Sequence, residues 1–167
     1  MKQGKKAAFI TLGCKVNIAE TEGMKLLFKK AGYEIVEAGE HADVYVINTC
    51  TVTGMGDKKS RQMIRRAHSL NPDAVIAVVG CFAQVSPEEI SKIEGVNLVL
   101  GNNMKHRIVE LVESTQKNDI KQYVDERKTL LEYEELPVET YVGHTRAFLK
   151  VQDGCDQFCS YCIIPYA

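Results

Sequence analysis

The run DVYVINTC, residues 43–50, decides the fold. Asp43–Asn48 is almost continuously apolar and β-branched, the composition of a strand covered on both faces. Runs of the same kind recur at Ala7–Leu12, Tyr33–Val36, Val75–Val79 and Asn97–Leu100. Between them lie segments with helical spacing and helix-end chemistry. The first runs from about Ile18 to Ala31, with Asn17 as its N-cap, Gly32 as its terminator and Met24, Leu27, Phe28 and Ala31 as its apolar stripe. The second covers about Gly56 to Leu70 and stops before the turn dipeptide Asn71-Pro72. The third opens on Ser86-Pro87-Glu88-Glu89, a capping box with proline in the first helical position, and stops near Gly95. The fourth spans roughly Met104 to Ser114 behind Asn103 as its cap.

This alternation predicts an α/β domain over residues 1–115: a five-stranded, doubly wound parallel sheet, most simply in the flavodoxin-like order 2-1-3-4-5. Over residues 116–145 the pattern gives way to charged runs (DERK, EYEEL) and Pro137, which reads as a linker. A short hairpin is expected there from Lys121–Val124 and Leu130–Tyr133, with the acidic cluster as solvated surface. Residues 146–167 start a second unit with the strand-like segment Ala147–Val151. The chain ends five residues after Cys162, so that unit is expected only as its truncated start.

At 167 residues, 45% apolar and 26% charged, the chain has material for one globular domain and a piece of another. A formal charge of -1 carries no global signature of nucleic-acid binding, so such a role has to come from a local patch. The longest apolar run, Ala74–Ala83, is well short of the ~20 residues that span a bilayer. The basic and apolar residues before Cys14 imitate a lipoprotein signal, but Ala7–Leu12 is shorter than an h-region of about 7–15 residues. The expectation is a cytoplasmic protein with no membrane partner.

Six cysteines in such a chain point to metal ligands rather than disulfides. Cys155, Cys159 and Cys162 stand in a C-x3-C-x2-C spacing between Gly154 and Pro165, a loop able to wrap one small object. A structural zinc site takes four donors, whereas a four-iron cluster on three cysteines keeps one iron free. A zinc knuckle or a set of redox-active thiols is the alternative; no partner histidine follows. Cys14, Cys50 and Cys81 each follow the carboxyl end of an expected strand, the first, third and fourth. Those strands are neighbours in the expected order, ~4.8 Å apart, so the three thiols emerge on one sheet edge beside the switch point. Helix N-termini after each loop are expected to favour thiolate. One such cysteine would read as a small buried residue; three at equivalent positions point to a second three-cysteine iron–sulfur site.

The segments TLGCKVN, VINTCTVT, VVGCFAQ and GCDQFCSYCIIPYA together resemble the methylthiotransferase family of radical S-adenosylmethionine (radical-SAM) enzymes. They are most similar to the branch acting on tRNA that carries N6-threonylcarbamoyladenosine. The resemblance implies an N-terminal cluster domain followed by a radical-SAM barrel. It implies two [4Fe-4S] clusters, one on Cys14, Cys50 and Cys81 and one on Cys155, Cys159 and Cys162. S-adenosylmethionine would bind the latter, an electron donor would feed it, and the product would be methylthiolated at C2 of the modified adenosine beside the anticodon. The fragment alone is expected to be inactive. Three other readings stand beside this one: the isopentenyladenosine-tRNA or ribosomal-protein branch, a non-catalytic iron–sulfur redox protein, and a zinc-holding nucleic-acid module.

Asn17, Asn48, Thr49, Thr51 and Thr53 are candidates to bond cluster sulfurs or simply to order the turns. Phe158 and Tyr161 are candidates to shield the late thiols. Lys58, Lys59, Arg61, Arg65 and Arg66 form a helical basic stripe, either a contact for tRNA phosphates or a solvated face. The four histidines show no ligand spacing and receive no role.

Overall fold

The computed structural model describes residues 4–51, 54–126, 133–139, 146 and 148–166. Its strands are β1 (Lys6–Thr11), β2 (Glu34–Val36), β3 (Val44–Thr49), β4 (Val75–Gly80), β5 (Val96–Leu100) and β6 (Lys121–Tyr123). They form one sheet in the order β2-β1-β3-β4-β5-β6, with every pairing parallel. The helices are α1 (Lys15–Lys30), α2 (Gly54–Leu70), α3 (Cys81–Val85), α4 (Pro87–Ser91) and α5 (Ile108–Glu113).

Every residue of β3 and β5 is buried, as near-continuous apolarity requires of central parallel strands. Their side chains alternate between two cores. Tyr45, Ile47, Ile76, Val78 and Val99 pack with Ile64 and Ala67 of α2, Phe82 of α3 and Ile90 of α4. Val44, Val46, Ala77, Val79, Leu98 and Leu100 pack with Met24 and Phe28 of α1 and with Ile108, Leu111 and Val112 of α5. The sheet is therefore doubly wound, as the α/β alternation predicts. Among the described residues no helix is long and apolar enough to cross a membrane.

The order 2-1-3-4-5 holds and is extended by one strand. The expected hairpin arm Lys121–Tyr123 pairs in parallel with β5, Leu98 opposite Lys121 and Leu100 opposite Tyr123. The open edge of β5 supplies the partner, and Asn97 draws the incoming chain by donating to the Lys117 carbonyl at 2.6 Å. The other expected arm, Leu130–Tyr133, lies almost wholly outside the described residues. Phe148–Val151 carries no strand pairing, and Ala147 lies outside the described residues.

Helix ends differ from expectation in local detail. Helix α1 starts at Lys15 behind Cys14, so Asn17 sits inside its first turn rather than capping it. The expected helix from Ser86 is the second of two short helices, and Ser86 makes no side-chain cap bond. Before α5 a single 3-10 turn, Lys105–Arg107, follows Met104, while Asn103 sits at φ 86°. That left-handed conformation is one asparagine tolerates, and it takes Asn103 out of the capping role.

Gly80 ends β4 at φ +90°, where an added Cβ would lie 2.4 Å from Asn48 Oδ1 and 2.5 Å from the Thr49 carbonyl oxygen. Gly32 has a similar φ, +88°, with nothing within 4 Å of such a Cβ. Gly32→Ala should cost only the backbone strain of roughly 1–3 kcal/mol. Gly80→Ala should cost clearly more, because the rigid end of β3 has to move. Urea unfolding of both variants measures the difference.

Candidate metal centre

The strand register fixes where the early thiols emerge. Thr11 of β1 faces Asn48 of β3, and Thr49 of β3 faces Gly80 of β4. Cys14, Cys50 and Cys81 therefore leave the sheet at the carboxyl ends of three adjacent strands. Cys50 is buried, Cys81 is partly buried and Cys14 is exposed. Gly13, at φ +101°, lets the first turn close onto the second: a Cβ there would lie 2.5 Å from Cys50 Cβ and 2.7 Å from its Sγ.

Asparagines bind these turns together. Asn17 Nδ2 donates to the Leu12 carbonyl at 2.7 Å and to the Thr49 carbonyl at 2.9 Å, and the Cys14 thiol donates to Asn17 Oδ1 at 3.5 Å. Asn48 Nδ2 donates to the Asn17 carbonyl at 3.1 Å and to Thr21 Oγ1 at 3.3 Å. Thr49 Oγ1 donates to the Val79 carbonyl at 2.6 Å. The two asparagines and Thr49 thus order the turns. Thr51 Oγ1, beside Cys50, is buried with no hydrogen-bond partner, as is Asn48 Oδ1. Thr53 lies outside the described residues.

The thiols sense one another. Burial pushes the Cys81 thiol up to about 11, Cys50 adds to this, Lys105 opposes it, and Glu20 and Cys14 push it further. At Cys81, then, burial outweighs the expected help from a helix N-terminus; α3, which Cys81 itself begins, is a single short turn. Among the described residues no set of three or more His, Cys, Asp or Glu side chains is gathered tightly enough for one metal ion.

The late triad sits in a loop built from local turns. Gly154 has φ 67° and Phe158 has φ 48°, and the Cys162 amide donates to the Cys159 carbonyl at 3.0 Å. Cys159 is exposed, whereas Cys155 and Cys162 are partly buried. Phe158 packs edge-on against Tyr166 with centroids 5.6 Å apart. Tyr161 is 91% exposed. In α2, Arg61 is committed to Glu89 at 2.5 Å and to the Phe82 ring at 5.4 Å. Lys58, Lys59, Arg65 and Arg66 are exposed along the same helix.

Sequence reasoning missed a buried ionic cluster beside these turns. Glu20 Oε1 takes Lys105 Nζ at 3.1 Å and Lys150 Nζ at 3.0 Å. Lys105 also reaches Glu134 Oε2 at 3.7 Å and Asn102 Oδ1 at 3.0 Å. Glu134 in turn accepts from the His106 amide at 2.9 Å and from the Asn103 amide at 3.2 Å. The expected solvated acidic cluster is therefore wrong for Glu134, only 4% exposed, because two backbone amides, the His106 ring and the Lys105 ammonium draw it inward. Burial pushes the Glu20 carboxyl upward, but the two lysines together hold it below the usual carboxylate range. The signal was present in the sequence: Glu20 stands four residues before Met24 in the stripe that continues to Phe28.

The family model described as "Uncharacterized protein family UPF0004" matches residues 6–101. Over 163 residues the chain is 51% identical to the threonylcarbamoyladenosine tRNA methylthiotransferase MtaB of Bacillus subtilis (strain 168), covering 96% of this chain and 36% of that protein. The same-named protein of Aquifex aeolicus (strain VF5) is 44% identical, covering 97% of the chain and 40% of that protein. The tRNA-2-methylthio-N(6)-dimethylallyladenosine synthase of Rickettsia prowazekii (strain Madrid E) is 33% identical, covering 97% and 38%. The chain thus spans well under half the length of these curated relatives.

Lys105→Met leaves Glu20 and Glu134 short of a cation inside the protein, a loss of about 3–5 kcal/mol in unfolding free energy. Urea titration checks this. The sign with pH follows from the depressed Glu20 value: its stabilisation is complete above the ordinary carboxylate range and is lost as pH falls through the folded value. Glu20→Gln should lack that acid limb.

Proposed function

The chain belongs to the UPF0004 family, its likeness runs to the MtaB branch of the methylthiotransferases, and from that premise we propose that it is the cluster-binding part of a tRNA methylthiotransferase. The substrate position is C2 of N6-threonylcarbamoyladenosine. Residues 1–115, completed by the sheet strand Lys121–Tyr123, form the cluster domain; the rest of 116–145 is the connection and 146–167 the start of the radical-SAM unit. The observation that carries this reading is the exit of Cys14, Cys50 and Cys81 from three adjacent parallel strands.

The residues fit the group. Three soft thiol donors share one sheet edge, the Gly13 cradle admits no extra Cβ, and the Thr51 hydroxyl beside Cys50 is a buried donor without a partner. Cys14, Cys50 and Cys81 would hold one [4Fe-4S] cluster, and Cys155, Cys159 and Cys162 a second, to which S-adenosylmethionine would bind. When bound, these groups supply the electron and radical chemistry needed at an unactivated C–H bond. The chain's own part is placement. Asn17 and Asn48 hold two cysteine turns at a fixed separation, and Thr49 fixes the end of β3 against β4. Lys58, Lys59, Arg65 and Arg66 offer tRNA phosphates a salt-sensitive contact, while Arg61 is held by Glu89. The setting is cytoplasmic, and an external electron donor completes the system.

Anaerobic reconstitution with iron and sulfide tests the proposal. About eight irons per chain are expected from two four-iron clusters. Cys81→Ser and Cys159→Ser should each remove about half, independently of the other. Stoichiometric zinc in place of iron would overturn the reading. In cells whose own copy carries Cys50→Ser, mass analysis of tRNA nucleosides should show threonylcarbamoyladenosine without its methylthio group, and unchanged methylthio-isopentenyladenosine. The opposite pattern would move the protein to the other branch.

A further inference from the structure

The two cysteine triads are far apart in sequence, yet one buried carboxylate ties together the segments that carry them. Glu20 lies on α1, which begins directly after Cys14. Lys150 lies five residues before Cys155. Their side chains are 5% and 8% exposed and meet at 3.0 Å. Lys105, 1% exposed, approaches the same Glu20 oxygen at 3.1 Å and so fixes the carboxylate from the β5–α5 side. Lys150 is held from two further directions: its ammonium reaches Asp153 Oδ2 at 2.5 Å and stands 5.2 Å from the centre of the Tyr133 ring. The Tyr133 hydroxyl also donates to the Lys150 carbonyl at 2.6 Å.

Leu149 is 86% exposed and Val151 80% exposed, so the neighbours of Lys150 contribute little burial. A buried charge pair is a poor source of stability compared with apolar packing, but it is directional and tolerates little displacement. An apolar residue at position 20 would let the segment slide over α1; a carboxylate shared by two lysines does not.

We infer that Glu20 and Lys150 are positioning residues, forming a buried ionic strut that locks residues 148–153 onto α1 and so sets the separation of the late thiols from the early ones. This rests on the two-cluster reading for its purpose, but not for its test. The strut acts before any iron is bound, because all of these contacts are between groups of the chain itself.

The test uses the 167-residue chain without metal. Cys50, Cys81, Cys155 and Cys162 are replaced by serine, and the two exposed thiols, Cys14 and Cys159, carry nitroxide spin labels. Pulsed dipolar spectroscopy should give a single narrow distance distribution. In Lys150→Met and in Glu20→Gln that distribution should broaden to roughly twice its width or more, as expected when a local anchor is released without global unfolding. Lys150→Arg, which keeps the charge, should restore it. In parallel, backbone amides of residues 148–153 should exchange roughly ten- to a hundredfold faster in Lys150→Met, the ratio set by losing a hydrogen bond to a charged group. Amides of β3 and β4 should not change, which guards against simple misfolding. A broad distribution in the unsubstituted strut, or an unchanged one in Lys150→Met, overturns the inference. Failure of the chain to take up iron would overturn the cluster reading instead and leave the distance result standing.

Discussion

The side-chain amide of Asn17 bonds two strand ends at once, to Leu12 after β1 and to Thr49 at the end of β3, and its oxygen accepts from the Cys14 thiol. Two backbone carbonyls left over where strands stop would otherwise be buried without donors, a cost of about 1–3 kcal/mol each. The asparagine satisfies both, and in doing so fixes how far the first cysteine turn stands from the second. Asn48 repeats the device in reverse, donating to the Asn17 carbonyl. The sheet register brings three turns to one edge; these amides determine the fine spacing. Gly13 and Gly80 belong to the same constraint, since a single methyl at either would press on the facing turn.

The ionic cluster obeys a different logic. Glu20, Lys105, Glu134 and Lys150 all give up most of their hydration, which no single pair in the set repays well. Shared partners make the arrangement tolerable: Glu20 has two cations, and Glu134 has one cation and two backbone donors. Burial lowers the Lys150 proton affinity, but Glu20 and Asp153 more than offset this, so the ammonium stays charged well into the alkaline range. Glu20 remains a carboxylate on the acid side for the matching reason. The contact therefore stays charged across the whole neutral range, which suits a fixed support and would not suit a pH switch.

The sheet was legible because its information is local and repeated. Asp43–Asn48 and Val75–Val79 carry enough β-branched residues to be strands in any setting, and parallel pairing follows from the helical segments between them. The placement of Cys14, Cys50 and Cys81 at one edge then needed only strand order. Parts that depend on distant partners were not legible. Lys121–Tyr123 is a strand because β5 has a free edge, not because its three residues are apolar. Glu134 looks like one of several surface acids until the amides of Asn103 and His106 are brought to it from 31 and 28 residues upstream. The sequence does mark Glu20, as a charge inside an apolar stripe, but its two lysines come from 85 and 130 residues away. No pattern within a helix names such partners.

The two triads consequently differ in what holds them. The early thiols are separated by 36 and 31 residues and meet only because the whole sheet is in register, so their geometry is as firm as the central strands. The late thiols lie within eight residues and are shaped by two left-handed backbone positions and one turn hydrogen bond, which fix the loop internally and leave its place in the molecule open. A left-handed residue such as Phe158 costs roughly 1–3 kcal/mol unless its surroundings enforce it, and the edge-on ring of Tyr166 is one of the contacts that do so. An early site defined by global folding and a late site defined by local turning can share one reaction only if something outside both loops relates them. Between α1 and the approach to Cys155 a buried, directional contact of that kind runs through Glu20 and Lys150.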